Sequence, residues 1–265
     1  MIALFVAMIW CTAALAAPTV RVIPVGSGFT NVYAIEAGDG VVLVDAHFPG
    51  HATTILARLE RAGVAASRIR LILLTHAHMD HAGSAAELRD RLRVPVAVGA
   101  ADDTMLRGTR TLERLPHTDW RGAMMGLFLP KTFPTLVPDL VVDERLDLAA
   151  YGVAAVARVV GGHTPGSLVV EVADGTRLVG DQIRGRFGLP RVPTLHLFHD
   201  APLDAHRVMR DIVADPTTTT ILPAHGGPLT VDDTRVWLDK AGMRQDRRLK
   251  ARDERRAARA ARADG

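Results

Sequence analysis

The chain has almost no cysteine. Of its 265 residues only Cys11 carries a thiol, and it sits in an apolar stretch at the N-terminus. With that stretch removed, disulfides, thiolate metal ligands and a cysteine nucleophile are all excluded. Charge is absent too from Met1 to Val20, where Ile2 to Ala17 is almost continuously apolar. The run closes on Ala14-Leu15-Ala16 and then Ala17-Pro18, a small-x-small site that reads as a secretory signal at 1–16 cleaved after Ala16. The Lys or Arg that usually precedes such a run is missing. The rival reading is an uncleaved membrane anchor, which needs about 20 apolar residues. Pro18 and Arg21 leave this run short, so the expectation is a periplasmic or secreted protein with no stable membrane insertion after cleavage.

Extreme charge is also lacking. Lys and Arg number 32 against 29 Asp and Glu, a formal net charge of +3. Residues 244–262 hold nine basic and three acidic side chains, a local excess of six, so the rest of the chain carries −3. Bulk charge therefore gives no reason to expect a nucleic-acid partner; a mildly acidic body ends in a basic tail. Charged residues at 23% and apolar residues at 48% exclude a wholly disordered chain. The expected organisation is one domain over 17–243 and a basic tail, helical or disordered, over 244–265.

Short β-branched runs mark strands at Val20–Val25, Asn31–Ala37, Val41–Ala46, Leu71–Leu74 and Val94–Val98. Others follow at Leu140–Val142, Val153–Val160, Leu168–Val172, Arg177–Val179 and Thr218–Leu222. Helical spacing of apolar residues marks His51–Ala62, Ser84–Leu92 and Leu203–Val213, and Thr230 with Asp233 starts a final helix. Ala100–Pro138 reads as a long irregular flap rich in Met and Phe. His206 reads as a helix-surface residue. Two β-rich halves with helices outside predict an α/β sandwich of four layers, with no solenoid repeat.

The chemistry is concentrated in Thr75-His76-Ala77-His78-Met79-Asp80-His81. Residues two apart in an extended segment face one side, so His76 and His78 present their imidazoles together. Asp80 and His81 follow where the chain turns into a helix. Three imidazoles and a carboxylate this close are costly to bury unless they bind something. Nitrogen and oxygen donors suit zinc, with manganese or iron as alternatives. Three later fragments place further donors just past strands: His163 in Gly161-Gly162-His163-Thr164-Pro165-Gly166-Ser167, Asp181 in Val179-Gly180-Asp181, and His225 in Leu222-Pro223-Ala224-His225-Gly226-Gly227.

Together these motifs resemble the metallo-β-lactamase-fold hydrolase superfamily, in the family's order and across about Val20 to Ala241. The resemblance implies an αββα sandwich with a binuclear zinc site at one edge. His76, His78 and His163 would hold the first metal. Asp80, His81 and His225 would hold the second, with Asp181 bridging. Asp45 would support the metal loop without ligating. A metal-bridging hydroxide would attack an ester, thioester, lactone or amide bond of a small-molecule substrate, with Asp80 as the catalytic residue that orients the nucleophile.

Departures from particular relatives narrow the reading. Asp181 with no cysteine differs from class B1 β-lactamases, and the B3 class uses no bridging Asp. Only 40 residues follow His225, too few for the glutathione-binding domain of glyoxalase II. Gln182-Ile183-Arg184 replaces the Tyr that acyl-homoserine lactonases tend to carry. Arg184, Arg186 and Arg191 near the mouth favour an anionic substrate. His47, Arg184, His196 and His199 are the candidate substrate-binding residues. Two other classes stay open: an iron-dependent persulfide dioxygenase-like oxidoreductase, and a non-catalytic metal- or nucleic-acid-binding protein.

Overall fold

Strands that read as unbroken aliphatic runs are buried on both faces. The computed structural model describes residues 20–26, 28–38, 40–108, 121, 122, 124, 127 and 134–263. The expected signal segment at 1–16, and most of the expected flap, lie outside the described residues. Among the described residues, β1 (Arg21–Pro24), β2 (Tyr33–Ala37), β3 (Gly40–Val44), β4 (Ile69–Leu73), β5 (Val96–Gly99) and β6 (Leu140–Val142) form one sheet in that order. The first three pair antiparallel, and β3 to β6 pair parallel. A second sheet joins β7 (Arg145–Asp147), β8 (Ala155–Val159), β9 (Leu168–Val172) and β10 (Thr176–Gly180) as an antiparallel meander. β11 (Arg184–Arg186) and β12 (Leu189–Thr194) make a separate hairpin, and β13 (Thr220–Pro223) closes the second sheet parallel to β10.

Alternation assigns each side chain to a layer. Val42 and Val44 of β3, with Leu71 and Leu73 of β4, meet Leu168, Val170 and Val172 of β9 between the sheets. Val41, Leu43 and Ile72 face outward onto α1 (Ala52–Arg61) and α3 (Ala85–Leu92), through Ile55, Leu59 and Leu88. Val169 and Val179 face α5 (Pro202–Ala214), which buries Val208, Met209, Ile212 and Val213 at helical spacing. Helix, sheet, sheet, helix is the four-layer sandwich expected. The turn α2 (Met79–Ala82) lies between β4 and α3.

Two local expectations change. The stretch after β5 starts as a 3₁₀ turn, Ala100–Asp102, and the short helix α4 (Asp103–Leu106), not as irregular chain, because Met105 and Leu106 bury against the first sheet. His206 is buried, not on the surface: its Nδ1 lies 2.5 Å from Asp246 Oδ1 and its ring stands edge-on to Trp237. Asp246 belongs to the long helix α7 (Met243–Ala263), which follows α6 (Val231–Trp237) through a π-helical segment, Leu238–Gly242. The start of the basic tail therefore docks on α5 through Asp246, which also pairs with Arg210 at 2.6 Å. No described helix is long and apolar enough to cross a membrane.

Candidate metal centre

Every expected donor lies just past a strand end or in the turn that follows it, and all these ends share one edge of the sandwich. β4 continues into Thr75, whose carbonyl accepts the Leu168 N–H at 2.8 Å and stitches the two sheets at that edge. Asp45, just after β3 with φ of 67°, accepts the Thr75 N–H at 2.7 Å, and its Oδ2 lies 2.9 Å from His81 Nδ1. It holds the loop and the His81 ring. Asp102, fully buried, accepts the Ala77 N–H (3.0 Å), the Thr164 hydroxyl (2.8 Å) and the Gly166 N–H (3.0 Å). It thereby joins the loop of His76 and His78 to the loop of His163. That second loop needs its glycine: Gly162 has φ of 86°, and a Cβ there would lie 2.9 Å from Ala205 Cα. On the far side, Asn31 donates to the carbonyls of Pro223 and Gly226, strapping the His225 loop to the N-terminal strands.

These loops bring together all seven expected donors. His163 Nε2 lies 3.1 Å from His76 Nε2 and 2.9 Å from His78 Nδ1. His225 Nε2 lies 3.3 Å from Asp80 Oδ2, and His81 Nε2 lies 3.7 Å from that same oxygen. Asp181 spans both triads: Oδ2 is 3.4 Å from His81 and 3.5 Å from His163, while Oδ1 is 3.4 Å from His225. Within each triad the donor atoms lie within 4.8 Å of one another.

The electrostatics make this cluster a cation site. Burial pushes His76 and His163 well below the ordinary imidazole value, so both rings are neutral. His163 donates Nδ1–H to the Phe198 carbonyl at 2.8 Å, so its Nε2 lone pair points at the nitrogens of His76 and His78. Three ring nitrogens this close are donors that one cation can share. In the other triad burial is outweighed by carboxylates: Asp45, Asp181 and Asp80 hold His81 well above its usual value, and Asp181 and Asp80 push His225 up to about 10. Protons there stand in for positive charge. Burial would raise Asp80 and Asp181, but the neighbouring imidazoles hold both below the usual carboxylate range. His81 Nε2 and Asp181 Oδ1 are buried with no hydrogen-bond partner among the described residues. Oxygen and imidazole donors left unsatisfied in this way fit divalent metal.

The remaining candidates separate. His196 is buried and lines the cavity above the donors, 3.3 Å from Asp181 Oδ2. His199 is buried behind His163, ring centroids 5.2 Å apart, and is not among the cavity-lining residues; burial holds it well below its usual value. His47 also lies outside the cavity lining: its Nδ1 accepts the Phe48 N–H at 2.8 Å and its ring stacks on His51. Of the three expected mouth arginines, Arg191 is exposed outside the cavity lining, and Arg186 is exposed on it. Arg184 is buried, with its guanidinium carbon 4.4 Å from the centre of the Phe187 ring.

Sequence reading missed the residues that shape this cavity. It has a volume of about 290 Å³ and is walled by Phe29, Phe48, Met79, Phe187, Leu197 and Phe198, above a floor of His78, Asp80, Asp181 and His225. Phe187 rides the tip of the β11–β12 hairpin and stacks on Phe29 at 6.1 Å. Pro190 and Pro193 in β12 hid that hairpin, since proline counts against a strand except at an edge. Asp102 gave no signal at all; only the fold brings its partners to it.

Comparison with known proteins agrees with this arrangement. Residues 25–225 match the family described as the metallo-beta-lactamase superfamily. The uncharacterized protein YobT of Bacillus subtilis is 30% identical over 162 residues, covering 60% of this chain and 64% of that protein. A hydroxyacylglutathione hydrolase of Dechloromonas aromatica is 29% identical over 194 residues, covering 73% of this chain and 57% of that one. The chain thus spans less than two thirds of the length of either relative. Among solved structures, a metallo-beta-lactamase with a HARLDQ motif from Cronobacter sakazakii superposes with a TM-score of 0.62 at 21% identity, covering 87% of this chain and 92% of that one. This last likeness is one of fold.

Proposed function

Since the chain belongs to the metallo-beta-lactamase superfamily, we propose that it is an exported hydrolase with two zinc ions per chain. It cleaves an ester, thioester, lactone or amide bond in a small substrate that carries an apolar or aromatic group. One observation carries this reading: seven donors from the ends of four strands converge at and beneath the floor of a cavity whose walls are mostly aromatic. His76, His78 and His163 would hold one metal and Asp80, His81 and His225 the other, with Asp181 placed between the two triads. Bound there, the metals supply Lewis acidity and a water whose pKa falls toward neutrality.

The protein's own groups do the rest. Asp80 is the catalytic residue: its side chain is 20% exposed on the cavity floor, while His81 beside it is fully buried. Its carboxylate orients the attacking water and passes on the proton. Thr30 donates to that carboxylate at 3.4 Å and fixes its rotation. Phe29, Phe48, Phe187 and Phe198 bind the apolar part of the substrate and exclude bulk water. Arg186 at the rim is the cation placed to meet a carboxylate on the substrate, which is where an anionic group fits this reading. Arg184 supports Phe187 from below.

The test pairs metal content with a substrate panel. Protein purified without chelator should carry near two zinc per chain and should cleave aryl or acyl esters, thioesters or lactones with apolar groups better than short polar counterparts. About one iron per chain with no hydrolysis overturns the reading in favour of oxygen-dependent sulfur oxidation. N-terminal mass analysis of exported protein should find Ala17 first; an intact Met1 overturns cleaved export.

A further inference from the structure

His196 carries the same local signature as the expected ligands. A metal-binding imidazole usually commits its other ring nitrogen to a carbonyl or carboxylate, which sets the tautomer and aims the lone pair. His81 does so on Asp45, His225 on the Phe29 carbonyl at 2.8 Å, and His163 on the Phe198 carbonyl at 2.8 Å. The same Phe198 carbonyl lies 3.2 Å from Nδ1 of His196. One backbone oxygen therefore orients two imidazoles, and their Nε2 atoms turn toward one carboxylate oxygen. His196 Nε2 is 3.3 Å and His163 Nε2 3.5 Å from Asp181 Oδ2. The donor atoms of His163, Asp181 and His196 lie within 4.8 Å of one another, the same span that holds each of the two expected triads.

The ring is also fixed where a ligand would be. It lies flat against His225, 5.3 Å between centroids at 19°, and edge-on to His163 at 4.9 Å. It thus sits over the junction of the two triads. The Phe198 N–H lies 3.3 Å from the same Nδ1 and would select the opposite tautomer. A cation at Asp181 decides between them, because it repels an Nε2–H and attracts an Nε2 lone pair.

We propose that His196 is an eighth donor of the metal centre, coordinating on the His163–Asp181 side. It rests on the metal-centre reading above and adds a ligand to it. His196 lines the cavity together with His78, Asp80, Asp181 and His225, whereas His163 does not.

The experiment uses full-length wild type, His196→Ala and His196→Gln, each loaded with cobalt(II) or zinc. Visible absorption reads the cobalt coordination, chelator competition reads affinity, and circular dichroism reads the fold. Both variants should keep the wild-type fold and lose affinity for one metal on the order of 10–100-fold. Their cobalt absorption should change in intensity and position as a nitrogen ligand is lost. Wild type that loads two metals, with variants that match its affinity and spectrum, overturns this proposal alone; a changed KM with unchanged spectra then makes His196 a substrate contact. Wild type that binds no divalent metal overturns the metal-centre reading, and this proposal with it.

Discussion

The floor and the rim of one cavity are built on opposite principles. At the floor every donor side chain is buried or nearly so; Asp45 and the carbonyls of Phe29 and Phe198 hold the rings, and Asp102 ties two of the loops together. At the rim Phe29 and Phe187 are 44% and 57% exposed, and Phe187 stands on a two-stranded hairpin outside both main sheets. Chemistry demands fixed lone pairs, so the floor is over-determined by hydrogen bonds. Recognition of an apolar group demands area and little direction, so the rim can hang from a small hairpin. On the proposed function, chemistry and substrate preference rest on separable residues.

Breaking the floor should have the largest effect. His163→Ala and Asp181→Ala each remove a donor that faces several others. Turnover should fall by at least about 10³-fold with the fold retained, and bound zinc should drop below two per chain. Near-normal rates in either variant would refute the assigned roles. Asp102→Ala should come next: it strands two buried N–H groups and a hydroxyl. The expected cost is about 2–5 kcal/mol, read as a lower melting temperature together with weaker metal retention.

The floor should also release protons when it is loaded. His225, raised to about 10, and His81, also raised by its carboxylate neighbours, hold their protons more tightly than free imidazoles and must lose them to coordinate. Zinc titrations in buffers of different ionisation enthalpy should therefore show net proton release, and affinity should rise as pH increases from 6 toward 8. Proton uptake, or an affinity that falls with pH, would contradict the charge states assigned to the second triad. Breaking the rim should have the smallest effect on stability. Phe187→Ala is expected to change it by only about 0.5 kcal/mol, because the ring is half-exposed. It should raise KM for substrates with apolar groups and leave kcat nearly unchanged; an equal loss of kcat would make Phe187 part of the chemistry.

Legibility in the sequence follows the range of the interactions. β3 and the 71–73 part of β4 are readable because burial on both faces demands aliphatic runs, and β9 because one glutamate alone interrupts its run. His76, His78, Asp80 and His81 were readable because ligands within one turn must be close in sequence. The β11–β12 hairpin was not, since its prolines are tolerated only because it pairs outside the main sheets. His206 looked like a polar residue on a helix surface until α7 folded back and brought Asp246 to it, 40 residues away in sequence. Arg184 lines the cavity, as its place near the mouth suggests, but only the fold shows that it is buried with its guanidinium against the Phe187 ring.

The amino-acid sequence by itself determined the donor types, their spacing past the strands and the layer order, because coordination chemistry and strand alternation depend on residue identity and local period. Only the tertiary structure decided which groups aim the donors and what walls the site. Asp102 reaches Gly166 across 64 positions, His163 meets His76 across 87, and Asn31 holds the His225 loop across 195. Contacts over such separations leave no local pattern; they exist only once two sheets have packed and brought their strand ends to one edge.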